Sequence, residues 1–212
     1  MQGMELAALL LTGGASRRMG SDKATILDGD GQPLAVRTAN LLAAVADPVL
    51  EVGPGRAGTD FIRDEPGRGP LAAVAIGVDG LAGRGRTGAA LVVATDLPRL
   101  DHALVAWLAR HPAPGTVIPV VDGQPQLLCA RYDALTLSRA VHLLAEGRRR
   151  MTDLIGDRPW HAAGPAEWGP VSATGSFRDA DTPSELRDLL AARGPLLPAG
   201  SADGHPPIRT EA

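Results

Sequence analysis

Apolar residues fall along this chain in two kinds of run. Unbroken runs of strand length occur at 6–11, Leu6-Ala7-Ala8-Leu9-Leu10-Leu11, and at 89–94, Ala89-Ala90-Leu91-Val92-Val93-Ala94. Runs of that kind are typical of strands buried on both faces. Elsewhere the apolar positions follow helical spacing. Leu34, Thr38, Leu41, Leu42 and Val45 follow Pro33; Leu71, Val74, Ala75, Val78 and Leu81 follow Pro70; Leu104, Val105 and Leu108 follow Asp101. Proline suits a first helical turn and aspartate suits an N-cap, so each pattern has a start signal. Further strands are predicted at 48–52, at 61–63 and at 116–120, with Pro119 marking the last as an edge strand or ending it early.

The second half of the chain is less regular. The Asp122-Gly123 turn leads into Leu127 to Arg131, and a helix is predicted from Asp133 to Glu146, stopped by Gly147. A short helix with a basic entry is expected over 148–155, irregular chain over 161–174, a short strand over 176–180, and a last helix over 184–192 capped by Asp181-Thr182-Pro183. From Gly194 to Ala212, Pro, Gly, Ala and charge dominate. That composition predicts a disordered tail behind a single domain over 1–193.

Alternating helices and buried strands imply an α/β fold: three layers, with a mostly parallel, Rossmann-like sheet between helices. Ligands in such sheets sit beyond the carboxyl ends of the strands. Gly13-Gly14, Asp64 and Asp96 each follow a strand at that end and are expected to converge on one cleft.

Composition narrows the functional classes. Aromatics make up 3% of the 212 residues, so Leu, Val and Ala must fill the core. A net charge of −3 argues against a general nucleic-acid or membrane-surface binder, and leaves phosphate binding to local cations. The single cysteine, Cys129, excludes an internal disulfide and a Cys-based metal site, and its apolar setting reads as a buried, inert thiol. The five histidines are scattered without metal-ligand spacing. With no signal peptide ahead of Glu5 and no apolar run near the ~20 residues of a membrane span, a cytoplasmic protein is expected.

The chemistry concentrates in Leu9 to Lys23, LLLTGGASRRMGSDK. Paired glycines off a buried strand let backbone approach a ligand closely, and the Ser16, Arg17, Arg18 and Lys23 that follow suit a polyphosphate. The segment is neither a P-loop, since Lys23 lies between Asp22 and Ala24, nor the dinucleotide fingerprint, since Gly13-Gly14-Ala15-Ser16 lacks its spacing. Its pattern G-G-x-S-x-R-M-G-x-D-K, carried by Gly13, Gly14, Ser16, Arg18, Met19, Gly20, Asp22 and Lys23, resembles the signature of the molybdenum cofactor guanylyltransferases, the MobA-like nucleotidyltransferases. Those proteins usually have Ala or Ser where this chain has Thr12.

The resemblance extends over roughly residues 6 to 190. It implies a nucleotidyltransferase fold of the GT-A-like type. It further implies nucleotide contacts at Leu11, Thr12, Gly13, Gly14, Lys23, Asp64, Gly69 and Asp96, with Arg18, Lys23 and Asp96 catalytic. Asp96-Leu97-Pro98 matches the strand-end segment that carries the family's Mg²⁺ ligand, and Asp181 of Asp179-Ala180-Asp181-Thr182-Pro183 is a second candidate ligand. Gly69-Pro70-Leu71 resembles guanylyltransferases, whereas the two aspartates resemble cytidylyl-transferring relatives. The Asn that often approaches guanine in the family is replaced here by Val52-Gly53-Pro54. Gln124 to Leu128, with Arg131-Tyr132, resembles the acceptor side; so does Arg148-Arg149-Arg150, which reads as a phosphate pocket or as a solvated face.

The implied activity is Mg²⁺-dependent transfer of GMP from GTP to molybdenum–molybdopterin, with pyrophosphate released. A transient contact with a molybdoenzyme or its chaperone is the implied partner beyond the substrates. Alternatives are a molybdopterin cytidylyltransferase, a phospholactate guanylyltransferase, or a catalytically silent module that escorts nucleotide or cofactor.

Overall fold

The protein is described here from a computed structural model, in which residues 6–13, 26–28, 30–64, 67–180, 185, 188 and 189 are described. Strand β1 (Ala7–Leu11) lies at the centre of an eight-stranded sheet among these residues. It pairs in parallel with β2 (Val49–Val52) on one side and β4 (Ala90–Ala94) on the other, and β3 (Asp60–Ile62) extends the parallel set beyond β2. The chain moves outward from β1 to β3 and then returns across β1 to β4. That reversal makes the β1–β4 boundary the topological switch point, where ligand clefts form in such sheets.

Beyond β4 the sheet turns antiparallel. β7 (Cys129–Tyr132) pairs with β4, β5 (Val117–Val121) pairs with β7, and β6 (Gln124–Pro125) returns along β5. The last strand, β8 (His161–Ala163), pairs in parallel with β5.

Side-chain alternation along the strands builds two cores. Ala8, Leu10, Leu91 and Val93 face α1 (Leu34–Ala43) and α3 (His102–Arg110). Leu9, Leu11, Val92 and Leu50 face α2 (Pro70–Ala82), with α4 (Ala134–Ala145) and α5 (Met151–Ile155) completing that layer. Both sheet faces are therefore covered, which is why β1 and β4 are apolar at every position. Helix α2 comes unusually close: a Cβ on Gly77 would fall 2.8 Å from Leu9, so glycine is needed for that approach. Asp101 caps α3 by accepting from the Leu104 amide at 2.8 Å, and Asp133 caps α4 through the Thr136 amide at 2.8 Å. Among the described residues no helix is long and apolar enough to cross a membrane.

Four local expectations are corrected. β5 is not an edge strand, because Val117 pairs with both Arg131 of β7 and His161 of β8. Pro119 is tolerated because the β8 ladder ends at that residue, and its carbonyl accepts from the Gln126 amide at 2.8 Å. The stretch expected to be irregular contains β8 and a short helix α6 (Pro165–Trp168). Where a strand was expected over 176–180, Thr174–Phe177 forms a 3₁₀ turn, drawn in by Ser172 and Ser176 donating to Asp101. Helix α5 begins at Met151, leaving Arg148 to Arg150 exposed ahead of it. The expected tail over 194–212 lies outside the described residues.

Candidate functional site

The carboxyl ends of β1, β2 and β4 hold the start of the glycine loop from both sides. The carbonyl of Leu11 accepts from the Thr95 amide at 3.1 Å and from the Thr95 hydroxyl at 2.7 Å. The amides of Thr12 and Gly13 both donate to the Val52 carbonyl, at 3.1 and 3.3 Å. The Gly13 amide is thus engaged in the sheet rather than offered to a ligand. Gly14, Arg18 and Lys23 lie outside the described residues, as does Asp181.

Asp64, half-buried just beyond β3, comes against Gly13: a Cβ at residue 13 would sit 3.2 Å from its Oδ2. Gly13 is therefore fixed by close approach, and two of the residues singled out from the sequence meet there. Asp96 follows β4, and its carbonyl accepts from the Ala180 amide at 3.1 Å. That bond ties the 177–180 segment to the end of β4. Asp96 and Asp179 line one cavity of about 350 Å³ together with Pro70, Leu127, Met151 and Phe177. Asp96 and Asp179 are the acidic residues among the lining of that cavity.

The N-terminus of α2 forms another wall of this region. Gly69 precedes it with φ 86°, and a Cβ there would approach the Arg149 carbonyl to 3.2 Å. Arg149 Nη1 in turn donates to the Arg68 carbonyl at 3.4 Å. The glycine-proline segment and the arginine run, far apart in sequence, are neighbours in space. Arg148 is exposed and pairs with Asp153 at 3.3 Å.

Several contributors were not singled out from the sequence. Asp101, read only as a cap, also accepts from Ser172 at 2.6 Å and Ser176 at 3.0 Å, which holds the segment carrying Phe177 and Asp179. Glu51 is fully buried in β2 and accepts four hydrogen bonds; the signal for it was a lone charge inside an otherwise apolar strand run. Cys129 also lines the cavity, yet its side chain is buried, and burial followed by the nearby charge of Asp101 pushes its thiol up to about 12. It is inert, as read from the sequence.

The histidines are not all scattered. Pairing of β8 with β5 brings His161 beside His111, and both approach Glu167 Oε2, at 2.8 and 3.2 Å. Hydrogen bonding from His161 is the largest influence on Glu167; burial opposes it, and with the Gly164 amide and His111 it holds the carboxyl below its usual range. Nδ1 of His111 accepts from the Ala113 amide at 3.2 Å, so the proton of the neutral ring sits on Nε2 and points at Glu167. The three side chains bind one another in this structure and are also close enough together to hold a metal ion. The group stands at the amino end of β5, away from the strand ends that carry the cleft.

Residues 8–161 match the family described as MobA-like NTP transferase domain. A probable molybdenum cofactor guanylyltransferase of Chloroflexus aggregans is 33% identical over 204 residues, covering 90% of this chain and 96% of that protein. One from Mycobacterium tuberculosis is 35% identical over 215 residues, covering 96% and 94%. Among solved structures, molybdopterin-guanine dinucleotide biosynthesis protein A from Archaeoglobus fulgidus superposes with a TM-score of 0.70 at 17% identity, covering 87% of this chain and 97% of that one; it supports the fold. The order of the elements and these likenesses agree: the chain belongs to the MobA-like NTP transferases.

Proposed function

We propose that the protein transfers GMP from GTP to molybdenum–molybdopterin, giving the guanine dinucleotide cofactor and pyrophosphate. The observation that carries this reading is the convergence of Asp96, Asp179 and the start of α2 on one cavity beyond the carboxyl end of β4. The similarity to probable molybdenum cofactor guanylyltransferases supplies the acceptor.

In this reaction an acceptor phosphate oxygen attacks the α-phosphorus of GTP in line. The new P–O bond forms as the bond to the pyrophosphate oxygen breaks, and no covalent enzyme intermediate is needed. The protein's work is alignment and charge neutralisation. Leu11, Thr12, Gly13 and Gly14 would shape the nucleotide loop, with Asp64 and Gly69 along the nucleotide. Arg18 and Lys23 would balance the triphosphate and the departing pyrophosphate. Asp96 would hold Mg²⁺, with Asp179 on the same cavity and Asp181 as a further candidate, and the ion would neutralise phosphate charge. The loop 125–128, Met151 and Phe177 would face the pterin, and a molybdoenzyme or its chaperone would receive the product.

One observation favours a second reading. Asp179 is among the residues lining the cavity, at a position where cytidylyl-transferring relatives more often have Asp, which makes CTP the competing donor. Incubating the protein with Mg²⁺, molybdenum–molybdopterin and each of the four nucleoside triphosphates, with pyrophosphate as readout, tests both. Preference for GTP is expected. Faster release from CTP moves the assignment to cytidylyl transfer, and tight binding without release from any of them moves it to an escort protein.

A further inference from the structure

Glu51 carries a carboxylate into the sheet with no exposure to solvent, in a strand whose other residues are apolar. Its Oε1 accepts from the Thr12 hydroxyl at 2.5 Å and from the amides of Gly55 and Arg56, each at 2.9 Å. Its Oε2 accepts from the Ala57 amide at 2.7 Å. Backbone amides can only donate, so both oxygens are fixed as acceptors. Three of these bonds fold the loop after β2 back over its own strand. The fourth reaches the next strand and grips the first residue of the glycine loop.

The same junction is tightened by the backbone. The amides of Thr12 and Gly13 share the Val52 carbonyl, and the Gly53 amide donates to Ile62 at 2.9 Å. The Thr12 hydroxyl and the backbone nitrogen of Gly13 both occupy the space that a Cβ on residue 53 would need, so glycine is required there. Thr12, Glu51 and Gly53 therefore form one interlocked unit beside Gly13 and Asp64.

We propose that Glu51 is a positioning residue for the nucleotide. Through Thr12 it locks the glycine loop after β1 to the loop after β2, so that the two walls of the nucleotide side keep one fixed separation. This rests on the reading of that side as a nucleoside triphosphate site. A site held rigid in this way binds its ligand without the cost of ordering the loop first.

The test separates the lock from general folding. Thr12→Val keeps the shape and removes the hydroxyl, leaving the three amide bonds to Glu51 intact; Thr12→Ser restores the donor. Gly53→Ala attacks the same lock by pushing the Thr12 hydroxyl aside, and Glu51→Gln opposes an amide N–H to at least one backbone N–H. Binding of GTP with Mg²⁺ is measured directly, beside the KM for GTP, the KM for molybdenum–molybdopterin and the melting midpoint. Loss of one charge-assisted hydrogen bond is expected to weaken GTP binding and raise its KM about tenfold in Thr12→Val and Gly53→Ala. The acceptor KM should stay near wild type, and Thr12→Ser should recover most of the affinity. GTP binding by Thr12→Val and Gly53→Ala equal to that of a GTP-binding wild type overturns the proposal and leaves the proposed function standing. A wild-type protein that binds no nucleoside triphosphate overturns the reading of the site itself. If Glu51→Gln does not fold, the Thr12 and Gly53 variants decide.

Discussion

The two halves of the sheet meet the cleft in different ways. In the parallel half, β3, β2, β1 and β4 stop in register at their carboxyl ends, and backbone carbonyls of Val52 and Leu11 hold Thr12, Gly13 and Thr95. In the antiparallel half, short strands and turns are held by side-chain clips: Asp101 on Ser172 and Ser176, Asp133 on Thr116 and Thr136, and Glu167 on two histidines. In our reading the parallel half faces the nucleotide. The other half supplies a wall whose position depends on a few polar contacts, and in our reading it faces the acceptor. The difference suggests that substitutions will divide cleanly into those that alter nucleotide use and those that alter acceptor use.

The largest break should come at the boundary itself. Asp96→Asn removes charge with little change of shape, and turnover is expected to fall roughly 100- to 1000-fold, with partial rescue by high Mg²⁺ or by Mn²⁺. A residue serving only as a turn would instead cost about 1 kcal/mol of stability and leave activity near normal. Kinetics and a thermal melt on that one variant separate the two.

Asp101→Ala should sharpen the division between the halves. It removes the α3 cap and frees the segment that carries Phe177 and Asp179. A loss of about 1–2 kcal/mol in stability is expected. The KM for the acceptor should rise about tenfold through misplacement of that wall, more than the KM for GTP. An equal rise in both would show that the halves are not separable.

The smallest effect concerns pH. Burial alone would raise the carboxyl of Asp133, but hydrogen bonds from the Thr116 hydroxyl and from the Thr136 amide and hydroxyl, with the charge of Arg158, hold it below its ordinary value. A depressed folded pKa adds stability above the unfolded pKa of about 3.9, and that stability is lost as pH falls through the folded value. Asp133→Asn is therefore expected to cost about 1 kcal/mol at neutral pH, with the gap to wild type closing below about pH 4. Denaturant melts at several pH values measure it; a gap that stays constant into acid would remove the charge from the account.

Legibility in the sequence followed the same division. β1 and β4 were readable because burial on both faces leaves no polar position in the run. The places of Gly69 before α2 and Asp96 after β4 were readable because they stand where a periodic pattern starts or stops. β8 was not, since three residues carry no period and the strand exists only through pairing with β5. Ser176 and Phe177 alternate as a strand would, but the pull of Asp101 on the serines curls them into a 3₁₀ turn. Glu51 was passed over because its partners, Thr12 and the amides of 55–57, are assembled only by the fold.

The central claim is that one cleft brings a nucleotide's α-phosphorus to a pterin phosphate. Following GTP labelled at the α-phosphorus, with Mg²⁺ and molybdenum–molybdopterin, tests it most directly. The α-label is expected to move into a guanine dinucleotide, with pyrophosphate in equal amount and both dependent on the acceptor. Label that stays in GTP, or that leaves as free GMP with the acceptor unmodified, would contradict it.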